Sequence, residues 1–155
     1  MQRLDKEIKD KNVIINILKE AKIGRLGTCT NGEPYIVPLS FVYNDNKISF
    51  HCAKQGKKLS NIIKNPRVCF EVDMGELMQA EKPCDFSFKY QSVIAQGTAK
   101  ISTELNKKFE ILMLLTEKYA SYKKSQMTKE IVSKYKNMAV VEIEIDEISG
   151  KKSPV

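Results

Sequence analysis

The 155-residue sequence predicts one mainly β, α+β domain spanning 1–155, with about six antiparallel strands in a closed or partly closed barrel and helices at its periphery. Three observations point there. Asn31-Gly32 stands between two strand-like runs, and that pair suits a hairpin turn because both positions tolerate positive φ. Val68, Phe70 and Val72, and later Val141, Ile143 and Ile145, alternate with polar residues at the two-residue period of a half-buried strand. Helical spacing of apolar residues is confined to short segments between and before the strand-like runs. A chain of this length suits a single core.

Taken in order, Leu4, Ile8, Ile15 and Leu18 predict an amphipathic helix over about 4–20. Ile23–Thr30, Pro34–Tyr43 and Lys47–Cys52 read as a three-stranded meander, with Asn44-Asp45-Asn46 as its second turn. In the third of these strands Ile48, Phe50 and Cys52 share one face, and Ser49 and His51 the other. Gly56 to Asn65 reads as a short helix with Leu59, Ile62 and Ile63 inward, ended by Pro66. Val68–Asp73 is a strand and Met74–Asp85 a loop. Phe86–Ile101 is a long strand in which Gly97 marks a bulge or a close backbone approach. Ser102 or Thr103 can cap the next helix, whose inward stripe is Leu105, Phe109, Leu112, Thr116 and Tyr119. A further helix over about Thr128–Asn137 precedes the last strand at Val141–Ile145.

The chain is 42% hydrophobic and 29% charged, which places it among globular proteins. No run of about 18 apolar residues occurs, which excludes a helical membrane span. The start, MQRLDKEIKDKN, lacks the apolar stretch of a signal peptide, so the expected location is the cytoplasm. Cys29, Cys52, Cys69 and Cys84 match no zinc-ligand spacing and read as reduced thiols, mostly small and buried. Net charge is +7, but only Arg3, Arg25 and Arg67 are arginines, and the lysines are interleaved with 19 acids. That pattern describes a solvated surface able to attract small anions, and it argues against nucleic-acid reading, which relies on arginine forks.

One stretch carries chemistry. His51-Cys52-Ala53-Lys54-Gln55-Gly56-Lys57-Lys58-Leu59 runs from a strand end through a small-residue turn into a helix start. Free N–H groups and partial positive charge gather at that start. Lys57 and Lys58 there are locally unfavourable unless an anion such as a phosphate is bound; alternatively they are two solvated lysines. His51, the one histidine, is either a polar strand-end residue or a hydrogen-bond donor or stacking group at a ligand. Adjacent strand residues face opposite sides, so His51 and Cys52 do not form a dyad. Metal ligands are not assigned, and no GxGxxG, Walker or GxSxG motif is present.

The sequence resembles the pyridoxamine-5′-phosphate-oxidase-related flavin proteins, and within them the nitroimidazole-resistance branch. The resemblance rests on Gly24-Arg25-Leu26-Gly27-Thr28, Gly32-Glu33-Pro34-Tyr35-Ile36-Val37-Pro38-Leu39, His51-Cys52-Ala53 with Gly56-Lys57-Lys58, Asn65-Pro66-Arg67-Val68-Cys69-Phe70-Glu71-Val72, Tyr90-Gln91-Ser92-Val93 with Gly97, and Ile148-Ser149-Gly150-Lys151. These cover about residues 20–151. The resemblance implies a six-stranded FMN-binding split barrel and a homodimer holding FMN at its interface. It places Val37, Pro38, Leu39 and Ser40 along the isoalloxazine ring, and His51, Cys52 and Ala53 beside it. Lys57 and Lys58 meet the phosphate, and Ser92 approaches from the partner subunit or lines the same crevice.

The family often carries a small hydroxyl residue where Cys52 stands. The vitamin-metabolising oxidases end in an arginine-rich motif, whereas this chain ends Gly150-Lys151-Lys152-Ser153-Pro154-Val155, so pyridoxamine phosphate is not the implied substrate. The expected function is an FMN-dependent reductase that takes electrons from a small donor and passes them to a nitro compound or quinone, with His51 as the candidate catalytic residue. The alternatives are a non-enzymatic flavin-binding or storage protein, or the same barrel holding haem or a deazaflavin.

Overall fold

Two tight hairpins organise the first third of the chain. β1 (Gly24–Thr30) turns through Asn31 (φ 54°) and Gly32 (φ 79°) into β2 (Glu33–Leu39). β3 (Val42–Asn44) turns through Asp45 (φ 48°) and Asn46 (φ 57°) into β4 (Lys47–Ala53). Both turns are two-residue loops with positive φ, as their Asn, Asp and Gly content dictates. The computed structural model describes residues 4–80, 82 and 86–153. Its remaining strands are β5 (Arg67–Met78), β6 (Ser87–Ser102) and β7 (Met138–Lys152), and its helices are α1 (Lys11–Glu20), α2 (Lys57–Lys64), α3 (Leu105–Ala120) and α4 (Lys129–Lys134).

All seven strands form one antiparallel sheet in the order β2-β1-β5-β6-β7-β4-β3. Sequence reading expects six strands and a meander; neither holds. Pro34–Tyr43 is two strands, and they lie on opposite edges of the sheet. Only Ser40 and Phe41 join those edges, a reach of at most about 11 Å. The sheet therefore curls until its edges approach without pairing, which makes a split barrel. Two features break the strand. Pro34 and Pro38 lack N–H groups, which suits β2 to an edge. Tyr119 of α3 then takes the backbone of Phe41: its phenol accepts from Phe41 N at 3.0 Å and lies 2.8 Å from both Phe41 O and Lys22 O. Its single proton serves one carbonyl at a time.

The main core fills the barrel with Leu26, Phe41, Phe50, Phe70, Val72, Val93 and Ile143, closed on one side by Ile17 and Leu18 of α1. A smaller core joins Val42 and Val140 to Ile111, Leu112 and Leu115 of α3 and Val132 of α4. These helices cover the outer side of β3, β4 and β7, which is why Ser49 is buried although it faces away from the barrel interior. The β6 bulge falls between Gln96 and Gly97, where an added Cβ would stand 2.1 Å from Glu144 O. Both described arginines are used in the sheet: Arg25 pairs with Glu71 and Asp73, and Arg67 with Asp146.

Several local expectations change. The helix expected over 4–20 starts at Lys11, because Asp10 caps it and Ile8 N instead donates to Gly150 O at 3.0 Å. Ile63 points outward at 74% exposure, and Asn61 takes an inward position, donating to Thr28 Oγ1 at 2.9 Å. The stripe of α3 is Lys108, Ile111, Leu112 and Leu115. Met74–Met78 continues β5 against Ser87–Gln91; the remainder of the expected loop lies partly outside the described residues. Of the described thiols only Cys52 is buried, with Cys29 and Cys69 exposed; Cys84 lies outside the described residues. Among the described residues no helix is long and apolar enough to cross a membrane.

Lys118 of α3 is a built-in strain on this arrangement. Its Nζ sits 3.8 Å from the Phe41 ring centroid and donates to Leu18 O at 3.3 Å. Burial, and then the nearby Lys22 charge, lower its pKa from 10.5 to about 8. Between those values the unfolded chain binds the extra proton, so stability rises as pH climbs from 8 toward 10. Above 10 the trend reverses, because burial holds the Tyr119 phenol above its usual range. After allowing for partial exposure, urea titrations at pH 8 and pH 10 are expected to differ by about 1–2 kcal/mol. Lys118→Met should flatten that slope; an unchanged slope counts against Lys118 as its source.

Candidate functional site

The first turn of α2 reaches the edge strand β2 and the β4 strand that lies next to the other edge. Lys57 Nζ stands 5.1 Å from the Tyr35 ring on β2, and Lys58 Nζ 5.7 Å from the Phe50 ring on β4. Gly56, which precedes the helix, has φ 140° and ψ 163°, a conformation that side chains disfavour, and a Cβ added there would meet nothing within 4 Å. No side chain caps this helix start. Its free N–H groups, two lysines and open space fit a phosphate-sized anion better than they fit a closed surface turn.

β4 brings His51, Cys52 and Ala53 beside that turn. The alternation expected from sequence holds: His51 and Ala53 are exposed, Cys52 is 8% exposed. Although part of the residue meets solvent, the surrounding protein desolvates the His51 imidazole, and that desolvation, then the Lys58 charge, hold it below its ordinary pKa of 6.5. It is therefore neutral at pH 7, with one ring nitrogen donating and the other accepting. Burial pushes the Cys52 thiol up, against a smaller opposite pull from Lys58, so it stays protonated. Among the described residues no group of three His, Cys, Asp or Glu gathers to hold a metal ion.

His51, Cys52 and Ala53 also line a pocket of 490 Å³, whose other wall is the segment from Lys134 to Met138. Sequence reading misses that wall. The β4–β7 pairing creates it, with His51 opposite Val140 and Ala53 opposite Met138, and its only local signal is the aromatic-basic run Lys134-Tyr135-Lys136.

Val37, Pro38 and Leu39 lie at the end of β2, where the chain crosses to the other edge. Ser40 begins the crossover, and its side chain, near the Tyr119 phenol, slightly offsets the effect of burial on that group. Ser92 is far off. It pairs with Asp73 and Lys151, whereas Val140, the partner of His51, pairs with Ser102. Ten residues of strand separate Ser92 from the level of His51, about 33 Å along β6. Within one chain, Ser92 therefore stands apart from His51.

The model of one protein family, described as pyridoxamine 5′-phosphate oxidase, matches residues 10–152. The chain belongs to that family. Solved structures share its fold. A protein assigned to 5-nitroimidazole antibiotic resistance, from Bacteroides thetaiotaomicron, superposes with TM-score 0.78 at 24% identity, covering 94% of this chain and 86% of that one. A flavocytochrome from Azotobacter vinelandii gives 0.83 at 18% identity, with 100% and 72% coverage. An FAD-binding protein from Mesorhizobium loti gives 0.68 at 21%, with 94% and 96% coverage. No curated protein matches the chain. This member of the pyridoxamine 5′-phosphate oxidase family thus combines the split barrel with an uncapped lysine-bearing α2 start and a neutral histidine beside it.

Proposed function

We propose that this family member is a flavin-dependent reductase that binds FMN in the split between the sheet edges and works as a homodimer. The observation that carries it is the start of α2: Gly56 in a glycine-favouring conformation, an uncapped first turn, and Lys57 and Lys58 reaching toward Tyr35 of β2 and Phe50 of β4. That is a cradle for one terminal phosphate, the group that distinguishes FMN from riboflavin. Bound flavin would supply the redox chemistry, moving electrons from a small donor to a nitro compound or quinone. Val37, Pro38 and Leu39 would flank the ring, with Ser40 at its margin. His51 and Ala53 would face it from β4, with Cys52 behind them. His51, neutral at pH 7, would hold a hydrogen bond to the flavin or acceptor. Ser92, remote from His51 within one chain, would meet the flavin from the second copy of the dimer. Solved relatives described as FAD-binding or as flavocytochromes support flavin as the cofactor class.

The absorption spectrum of freshly purified protein, followed by equilibrium titration with FMN and FAD, tests the reading. FMN should bind more tightly than FAD; equal or tighter FAD binding counts against the cradle. A haem band in place of flavin absorbance would replace the cofactor assignment. Turnover of NADH or NADPH with a nitro or quinone acceptor separates a reductase from a storage protein. Sedimentation at micromolar concentration should give a dimer, and a monomer that holds FMN tightly would sink the interface.

A further inference from the structure

The 490 Å³ pocket at the end of β4 has a wall to which the proposed flavin contacts assign no role. His51 and Ala53 form one side, and Lys134, Tyr135, Lys136 and Met138 the other. No residue lining it is acidic. Lys134 is paired with Glu130 of its own helix at 3.6 Å, whereas Lys136 has no ion pair among the described residues. The wall is held in place. Lys54 N donates to Asn137 O at 3.1 Å, Met138 pairs with Ala53, and the buried Lys108 of α3 donates to Tyr135 O at 3.4 Å. Tyr135 is nevertheless 52% exposed on this backbone. A pre-positioned aromatic face loses little freedom when a ligand stacks on it. Cationic groups without a facing carboxylate attract anions, and the volume suits a small molecule.

We propose that this pocket binds an anionic aromatic small molecule, its ring against Tyr135 and its carboxylate or phosphate beside Lys136, with His51 at its edge. The inference deepens the reductase reading and rests on it for the role of the ligand, but the binding itself does not require flavin. Two sources share this chemistry: an acceptor that carries its own carboxylate, and the adenosine diphosphate end of a nicotinamide donor.

The chain has one histidine, so the imidazole resonances of the full-length flavin-free protein are unambiguous; they sense both this pocket and the Lys58 side, and dependence on Lys136 tells the two apart. The titratable or charged groups around His51 are Cys52 on its own strand, Lys58 of α2, and Lys134, Tyr135 and Lys136 of the facing wall. At low ionic strength 4-nitrobenzoate should shift the imidazole signals and raise their titration midpoint, since a nearby anion favours the imidazolium. The neutral 4-nitrobenzamide should bind about tenfold more weakly, and Lys136→Gln should weaken 4-nitrobenzoate by about tenfold. ADP is the donor arm. A Lys136-dependent response to ADP alone assigns the pocket to the donor, and one to 4-nitrobenzoate alone assigns it to the acceptor; both uphold an anionic aromatic ligand. Equal affinity for nitrobenzoate and nitrobenzamide, indifference to Lys136→Gln, or silence toward both anions overturns it. FMN titrated into the same samples keeps the two readings apart: no FMN binding with nitrobenzoate bound removes the flavin assignment only, and the reverse removes this one only.

Discussion

Lys58→Ala is expected to weaken FMN binding by about ten- to a hundredfold while hardly changing riboflavin binding. A charge-assisted hydrogen bond to phosphate contributes roughly 1.5–3 kcal/mol, and each 1.4 kcal/mol is a factor of about ten. Riboflavin lacks the phosphate and should not register the loss. The folded state gives Lys58 little else to do. It has no ion pair among the described residues, and its contact with Phe50 at 5.7 Å is a partly exposed cation–π interaction worth at most about 1 kcal/mol. Against that loss, alanine is a better helix former, and removing a positive charge relieves the dipole at a helix start. The melting temperature of the flavin-free variant should therefore stay close to that of the parent. A second readout is independent of flavin. Lys58 is one cause of the low His51 pKa, so the His51 titration midpoint should rise in the variant. Equal losses of FMN and riboflavin affinity, with a fall in melting temperature, would instead make Lys58 a structural residue.

How much of this was readable beforehand follows the range of each interaction. Turn chemistry is local, so Asn31-Gly32 and Asn44-Asp45-Asn46 announce their hairpins without knowledge of the rest of the chain. The Gly97 bulge and the His51/Cys52 alternation are equally local. Sheet order is not. Nothing between Leu39 and Val42 says that the chain leaves one edge for the other; that is decided by Tyr119, 78 residues from Phe41, taking the backbone groups a continuous strand would need. Pro34 and Pro38, four residues apart in one strand, are the signal that could have marked β2 as an edge, since neither can donate to a ladder. The inward position of Asn61 in place of Ile63 depends on Thr28 as a hydrogen-bond partner across the barrel mouth, which helical periodicity cannot show. The candidate site divides the same way. The His51–Leu59 stretch is contiguous and legible, whereas the Lys134–Met138 wall meets it only through the pairing of β4 with β7.

Phe70→Ala should damage the site as well as the fold. Phe70 is fully buried, and its ring meets that of Phe41 edge-on with centroids 4.9 Å apart. Its tip also occupies the space beside Gly24, where an added Cβ would stand 2.2 Å from Phe70 Cζ. Removing the ring costs about 3–5 kcal/mol, a large part of the 5–15 kcal/mol typical of a whole domain. In urea the midpoint should fall sharply with an unchanged slope, since the surface exposed on unfolding is the same. Phe70→Leu keeps much of the volume and should lose less. The consequence for the site runs through Phe41, which sits in the two-residue crossover between β2 and β3. With the Phe70 ring gone, Phe41 keeps its backbone clamp to Tyr119 but loses its aromatic partner, and the Val37–Ser40 segment before it loses its anchor. Phe70→Ala should therefore weaken FMN binding in the fraction that remains folded, while Phe70→Leu should largely retain it. An alanine variant that loses stability yet binds FMN as tightly as the parent would separate the crossover from the flavin site.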